Sequence, residues 1–202
     1  MSDKPHLLCF SYYWPPSGKA SLHLPLHLLR GLLEQGWNVT VVTVADDDFT
    51  SKDFSLLQEV PEGITVLRTF SLEPFTIYRK FLGKDPKKPI APSETISKEN
   101  KGLRHKLAVW IRMNLFIPDA RVGWFPFAYL AAAEYHKTNP IDIVLSFGPP
   151  HSTHLAPLLL NAFHSIPFVP LFIDPWMDII YYKEFKRSSF TLFLDGWLEK
   201  TV

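Results

Sequence analysis

Two histidines lie three residues apart in the stretch "LSFGPPHSTHLAPLLL" (145–160), directly after an apolar run that ends in a glycine and two prolines. An imidazole changes its charge near neutral pH, so His151 and His154 could move a proton or bind a sugar hydroxyl or a phosphate. They could equally cap a helix or pack against its neighbours, and both alternatives stay open. The pair lacks a third ligand at a known spacing, so no metal site is predicted.

A second candidate segment, "WPPSGKAS", follows the first apolar run of the chain. A glycine before a helix lets a phosphate approach free backbone N–H groups, which points to Ser17, Gly18 and Lys19. The glycine spacing of a Walker loop or of a dinucleotide fingerprint is missing. A plain strand-to-helix turn with a solvated lysine is the alternative.

A third candidate, Asp174, stands at the end of another apolar run, before Pro175 and Trp176. Its carboxylate could accept hydrogen bonds from ligand hydroxyls, act as a base, or cap the next helix. The indole of Trp176 could stack on a sugar face or pack in the core.

These segments fall between elements that alternate regularly along the chain. Strands are predicted at 6–13, 37–44 and 64–70 and in "IDIVLSFG" and "PFVPLFID"; helices are predicted in "LHLPLHLLRGLLEQG", "WFPFAYLAAAEYHK", "HSTHLAPLLLNAFH" and "SFTLFLDGWLEKTV". Strand, helix and strand within about 40 residues make a βαβ unit, so the sequence predicts an α/β fold with a Rossmann-like, doubly wound parallel sheet. Ligands of such sheets bind beyond the carboxyl ends of the strands, where all three candidate segments are predicted to lie.

The composition excludes several classes of protein. A net charge of +1 over 202 residues gives no overall field for nucleic acid, and none is predicted as a partner. The lone Cys9 sits in an apolar run and is expected to be a buried strand residue. We expect a cytoplasmic protein, because the N-terminus lacks a signal-peptide pattern and no apolar run is long enough to cross a membrane.

Residues 71–117 interrupt the α/β rhythm and form a predicted insertion. Between 79 and 112 the sequence has ten lysines and arginines against three acidic residues, a local net charge of +7. The pattern over 98–117 predicts a basic amphipathic helix. Such a helix could lie on an anionic bilayer at the inner face of the plasma membrane, hold a phosphate-bearing acceptor, or present a solvated basic face.

Four segments together resemble a known family. "YYWPPSGKAS", "PDARVGWFPFA", "DIVLSFGPPHSTHLAPLLL" and "IPFVPLFIDPW" resemble, in this order and over nearly the whole chain, the N-terminal domain of glycosyltransferase family 4. The branch in question includes bacterial transferases for lipopolysaccharide, capsule and exopolysaccharide. The resemblance implies one half of a GT-B architecture, in which an acceptor-binding and a donor-binding Rossmann-like domain flank a cleft. It also implies a retaining, metal-free hexosyltransferase.

The resemblance assigns roles to the candidate residues. It implies that Asp174 and His151 are catalytic or orient the substrate at the ends of their strands. The implied substrate-binding residues approach the donor phosphate or line the acceptor side of the cleft: Ser17, Gly18, Lys19, Pro149, Pro150, His154 and Trp176. The family often has a second glycine where this chain has Lys19, and an arginine where it has Ile173.

The length bears on the expected activity, because 202 residues are too few for both halves of a GT-B enzyme. Residues 1–202 are expected to form the acceptor-binding domain alone, without the C-terminal donor-binding domain and therefore inactive in transfer by itself. The full enzyme would take a nucleotide sugar as donor and a saccharide or lipid-linked acceptor, in the synthesis of a cell-surface polysaccharide. The alternatives are a stand-alone saccharide-binding module and one half of a GT-B-type nucleotide-sugar epimerase. No cofactor is expected in this chain.

Overall fold

One parallel sheet organises the protein. The structure, a computed structural model, describes residues 4–45, 49, 51–72, 107, 110–111, 113–178 and 187–202. Its five strands are β1 (His6–Ser11), β2 (Asn38–Val44), β3 (Thr65–Thr69), β4 (Ile143–Gly148) and β5 (Phe168–Phe172). They are all parallel and lie in the order β3-β2-β1-β4-β5. The predicted Rossmann-like, doubly wound α/β fold is confirmed.

Helices cover both faces of this sheet. They are α1 (His23–Glu34), α2 (Phe125–Thr138), α3 (Leu155–His164) and α4 (Ser189–Thr201). Helix α1 packs on the face that carries Leu7 and Cys9 of β1, whereas α2 and α3 pack on the face that carries Leu8 and Phe10. Because β1 is covered on both sides, it reads in the sequence as a continuous apolar run.

The lone cysteine is buried, as predicted. Cys9 has no exposed surface in the middle of β1. Burial raises the pKa of its thiol well above the ordinary value, so the thiolate that would be needed for chemistry is disfavoured.

Helix α1 begins and ends where its sequence indicates. Pro25 lies buried in the first turn, where a backbone N–H would have no partner within the helix, so its absence in proline costs nothing. At the other end, Gly36 has a φ of +88° and donates to the carbonyl of Leu33, while Trp37 donates to that of Leu32. These two bonds satisfy the last carbonyls of the helix in a Schellman motif, for which a glycine is the favoured residue.

Two differences from the predicted elements affect the candidate site. Strand β1 ends at Ser11, two residues before the predicted end, because the chain turns there and the Ser11 hydroxyl donates to the Tyr13 carbonyl (2.8 Å). Strand β5 ends at Phe172, so Asp174 lies two residues beyond it.

Most of the predicted insertion, 71–117, lies outside the described residues. Those described toward the end of the predicted basic helix, namely Leu107, Trp110, Ile111 and 113–115, are helical. Across the described ranges, no helix is both long and apolar enough to cross a membrane.

Candidate functional site

The sheet order brings the predicted segments to one edge. Strands β1 and β4 are neighbours, but β1 connects onward to β2 on one side while β4 leads to β5 on the other. The loops that follow β1 and β4 therefore diverge from a topological switch point, which is where doubly wound sheets bind their ligands. The third segment follows β5, the next strand along this edge.

The two histidines lie against the last residue of β4. They occupy a short 3-10 turn, His151–His154, that precedes α3, rather than the first turn of the predicted α-helix. A Cβ atom added to Gly148 would stand 2.5 Å from Nε2 of His154 and 2.9 Å from Nδ1 of His151. Only a glycine therefore lets both imidazoles approach the end of the strand this closely.

His154 is a buried core residue. It has no exposed surface, its Nδ1 is 2.6 Å from the Ser146 hydroxyl, and Nε2 makes no hydrogen bond to any described residue. Its ring also lies 4.8 Å from the centre of the Phe172 ring. Burial lowers the pKa of His154 to about 3, and the positive charge that His151 can carry acts in the same direction.

His151 lies closer to the edge of the sheet but is covered. Only 4% of it is exposed, and Trp176 stacks on its ring almost in parallel, with a centroid distance of 5.0 Å and an interplanar angle of 11°. Neither ring nitrogen makes a hydrogen bond of normal geometry within the described part of the chain. The backbone of Pro175 makes only a weaker contact with the ring. A buried imidazole without a well-formed hydrogen bond is uncommon, because each unpaired polar atom costs about 1–3 kcal/mol.

The surroundings of His151 keep it neutral near neutral pH. Burial lowers its pKa below the ordinary value, and the carboxylate of Asp119 and the backbone of Pro175 oppose that shift. Two further carboxylates, those of Asp195 and Asp174, also act against it. A neutral imidazole has one donor and one acceptor nitrogen, which suits a hydroxyl-bearing ligand.

Trp176 is held from behind by a buried ion pair. It is 1% exposed, its Nε1 donates to Oδ1 of Asp195 (2.6 Å), and the other carboxylate oxygen of Asp195 pairs with Arg187. The backbone N–H of Met177 donates to Glu199 (3.2 Å), so a second acidic residue of α4 also holds this segment. With one ring face against His151, Trp176 packs in the core as in the buried alternative, and it does not present that face to a ligand.

The segment "PDARVGW" connects two of the predicted loops. Asp119 accepts hydrogen bonds from the backbone N–H and the hydroxyl of Ser152, both at 2.8 Å, and from the backbone N–H of Arg121. The guanidinium of Arg121 lies 5.3 Å from the ring centre of Tyr12, just past β1. Asp119 thus anchors the turn that carries the histidines, while Arg121 contacts the loop after β1.

Asp174 is the exposed carboxylate of the group. It makes no hydrogen bond or ion pair to another described residue, and it lies close enough to His151 to influence its charge. Residues 175–178 contain no helix, so Asp174 does not act as an N-cap there. Of the three roles that its sequence position allowed, binding of ligand hydroxyls and action as a base remain.

The predicted phosphate segment packs against another part of the chain. The backbone N–H of Gly18 donates to the carbonyl of Ser51 (3.0 Å), and a Cβ on Gly18 would lie 2.8 Å from the Ser51 hydroxyl. The missing side chain of Gly18 therefore makes room for Ser51 of the same chain, and not for a phosphate. The buried Ser17 hydroxyl has no hydrogen-bond partner among the described residues, and Nζ of Lys19 lies 6.0 Å from the ring centre of Tyr13.

The structure thus assembles only some of the predicted residues. His151, His154 and Trp176 form one cluster at the end of β4, and Asp174 lies beside it. Pro149 and Pro150 connect β4 to the histidine turn, and the Pro150 carbonyl accepts from Thr153 (3.1 Å). Residues 17–19 make no hydrogen bond or ring contact with this cluster in the part of the chain that the structure describes.

Several residues of the site were missed as functional candidates. Asp119 belongs to the segment "PDARVGWFPFA", which carries part of the family resemblance. Its position directly after Pro118 was the available signal for a carboxylate that holds a turn. In the sequence, Gly148 indicates only the end of a strand. Asp195 carried no signal, because its partner Trp176 lies 19 residues away in the sequence.

A groove at the opposite edge of the sheet provides a contrast. It has a volume of about 390 Å³ and is lined by residues near the amino ends of the strands, among them His6, Thr40, Tyr135, Asn139 and Asp142. There, Nδ1 of His6 contacts the Pro140 carbonyl (3.0 Å) and Nε2 contacts the Thr40 hydroxyl (2.9 Å). Both ring nitrogens of His6 therefore have partners at hydrogen-bond distance.

Across the described ranges, no three histidine, cysteine, aspartate or glutamate side chains lie close enough together to hold a metal ion. Comparison with known protein families and with curated proteins gave no match to this chain. The similarity to glycosyltransferase family 4 therefore stays a prediction that depends on the four quoted segments.

Proposed function

We propose that this chain binds the acceptor saccharide in a retaining glycosyltransferase that uses a nucleotide-sugar donor. One observation carries the proposal: at the switch point of the sheet, the buried imidazole of His151 makes no hydrogen bond of normal geometry with the described residues and has only a weaker contact with the backbone of Pro175. An exposed carboxylate, that of Asp174, lies beside it. Hydroxyl groups of a sugar can satisfy such a donor, acceptor and carboxylate together.

The burial of His151 limits how a ligand reaches it. Since only 4% of the residue is exposed, a ligand that contacts its nitrogens has to displace part of the segment 174–176, in which the Trp176 ring covers His151. That segment contains Asp174, which is accessible from the start. Asp174 then meets the saccharide first, and His151 adds its hydrogen bonds once the segment has moved.

In the full enzyme, the acceptor-binding half would orient the reacting hydroxyl toward the donor in a cleft that excludes water. Positioning and charge stabilisation would supply most of the rate gain. The donor-binding half would contribute the nucleotide-sugar site, and this chain alone would bind without transferring. We place the reaction in the synthesis of a cell-surface polysaccharide at the cytoplasmic face of the membrane.

A titration of the 202-residue chain tests the binding step. Monosaccharides, disaccharides and sugar nucleotides are added in turn, and affinity is measured by calorimetry. Asp174→Asn should weaken saccharide binding about tenfold, because the amide keeps an acceptor oxygen but loses the charge, which makes a hydrogen bond stronger by about 1–1.5 kcal/mol. Glu62→Gln is the matched control, since Glu62 is also an exposed carboxylate and precedes β3, at the other end of the strands.

A transfer assay in a longer chain with a donor domain separates the enzyme from a binding module. His151→Ala and Asp174→Ala should each lower turnover at least tenfold there. Unchanged turnover in both variants would remove the two residues from the site. Saccharide binding without transfer in any longer chain would favour the stand-alone module.

A further inference from the structure

The groove at the amino ends of the strands lies on the opposite edge of the sheet from the candidate site. Its volume is about 390 Å³, and small-molecule sites in proteins start at about 300 Å³. Its walls include His6 from the start of β1, Thr40 from β2, Asp142 just before β4, and Tyr135 and Asn139 from the end of α2. We call this cavity the amino-end groove.

A chain of hydrogen bonds links three of these elements. A carbonyl oxygen can only accept, so the contact with the Pro140 carbonyl (3.0 Å) places the proton of the neutral His6 imidazole on Nδ1. Nε2 is then an acceptor, and the Thr40 hydroxyl, 2.9 Å away, donates to it. Because that hydroxyl has a single proton, the Tyr135 hydroxyl has to donate to the Thr40 oxygen (3.1 Å). Every bond of the chain therefore has one direction.

This direction makes Tyr135 an acceptor for a ligand. Its hydroxyl proton is used in the bond to Thr40, and the phenol oxygen can then only accept a further hydrogen bond. Thr40 is 1% exposed, so water does not compete for that bond.

Asn139 is an acceptor for the same reason. Its Nδ2 donates to the Tyr135 carbonyl (3.3 Å) and to the Thr138 hydroxyl (3.0 Å). Since the carbonyl can only accept, this contact fixes which way the amide points. Both amide protons are used, and Oδ1 makes no hydrogen bond to another described residue.

The electrostatics of the groove favour a positive charge. Oδ2 of Asp142 accepts from the backbone N–H of His6 (2.7 Å), which holds the carboxylate at the groove. The C-terminal end of α2 adds the partial negative charge of its last carbonyls. Lys4 also lines the groove and acts against a cation, but it is a single exposed charge against the carboxylate, the helix end and two neutral acceptors.

We propose that the amino-end groove binds a small organic cation through the N–H groups of a primary ammonium or a guanidinium. These groups are donors only and match a set of side chains whose own protons are already used. A hydrogen bond from a charged donor is also about twice as strong as one between neutral groups. An anion would face the lone pairs of Tyr135, Asn139 and Asp142. The site is separate from the candidate saccharide site and does not depend on its function.

Three four-carbon compounds test the proposal on the full 202-residue chain, at about pH 8, where an imidazole is neutral. Putrescine carries two ammonium groups, 1,4-butanediol two hydroxyls and succinate two carboxylates. NMR of the isotope-labelled chain follows the side-chain amide of Asn139 and the backbone amides of residues 135–142. Putrescine should shift these signals with an affinity at least tenfold above that of 1,4-butanediol, and succinate should leave them unchanged.

Two substitutions locate the binding. Asp142→Asn should weaken putrescine binding about tenfold, because the amide keeps an oxygen for the His6 N–H but loses the charge. Tyr135→Phe should weaken it about fivefold, because one acceptor is lost. Glu134→Gln is the matched control: it neutralises an exposed carboxylate beside Tyr135 that does not line the groove, and it should bind putrescine as the parent chain does.

A fourth variant tests the sign of the charge. Lys4→Gln should bind putrescine at least as tightly as the parent chain, because it removes a like charge from the groove. Circular dichroism of all variants verifies that they are folded.

Equal affinity for putrescine and 1,4-butanediol would overturn the proposal, as would equal losses in Asp142→Asn and Glu134→Gln. So would weaker binding to Lys4→Gln, or putrescine shifts confined to other parts of the chain. Putrescine contains no sugar, so this test can succeed where saccharide binding fails, and the two proposals fail separately.

Discussion

The pH dependence of folding stability tests the burial of His154. In the unfolded chain the imidazole takes up a proton near its ordinary pKa of 6.5, whereas in the folded protein burial lowers that pKa to about 3. Between these two values the unfolded state binds one more proton than the folded state. Stability therefore falls as the pH falls through this window.

The size of the effect follows from the two pKa values. From about pH 7 to about pH 5, His154 alone should lower the free energy of unfolding by about 2 kcal/mol. His154→Asn removes this titration while its amide can still reach the Ser146 hydroxyl, which Nδ1 of the imidazole now contacts. The variant has a smaller side chain, but that cost is the same at both pH values and cancels in the comparison.

Urea unfolding followed by circular dichroism at the two pH values measures the difference. The parent chain should lose about 2 kcal/mol more than His154→Asn over this interval. His27→Asn serves as the control, because it makes the same substitution at an exposed position on α1. An equal pH dependence in the parent and in His154→Asn would refute the reasoning, since the imidazole would then be charging freely in the folded state.

Two further substitutions test the structure around the histidines. Gly148→Ala should destabilise the fold by about 1–3 kcal/mol, because its Cβ would overlap both imidazoles. Gly31→Ala, which has open space around it on α1, should stabilise the fold by up to about 1 kcal/mol. Equal effects of the two substitutions on the urea midpoint would contradict the close contact at Gly148. Asp195→Asn should cost about 3–5 kcal/mol, since it removes the negative charge that pairs with the buried side chain of Arg187. Glu199→Gln on the same helix should cost less than about 1 kcal/mol, and a small loss in both variants would mean that the ion pair is not buried.

The fold could be predicted because its signals are local. Continuous apolar runs such as "VTVVTV" and "IVLSFG" belong to strands that are covered on both faces, and glycine-ended leucine periods belong to helices. The chain order of these elements then leaves few possible topologies. The three loops at the carboxyl edge followed from the same order.

The interior of the site could not be predicted in the same way. The contact between Gly18 and Ser51, and that between Trp176 and Asp195, join residues that are far apart in sequence. No local pattern indicates such pairs, since they depend on how loops cross after the sheet has formed. The sequence left both roles of Trp176 open, and only its burial against His151 decides between them.

The location of saccharide binding is the most direct test of the central claim. Backbone amide shifts of the isotope-labelled chain should be recorded while mono- and disaccharides are added. The proposal predicts that the largest shifts occur at the carboxyl edge, in residues 148–154 and 174–177. Shifts confined to the groove around His6, Tyr135 and Asn139, or no shifts with any saccharide, would contradict it.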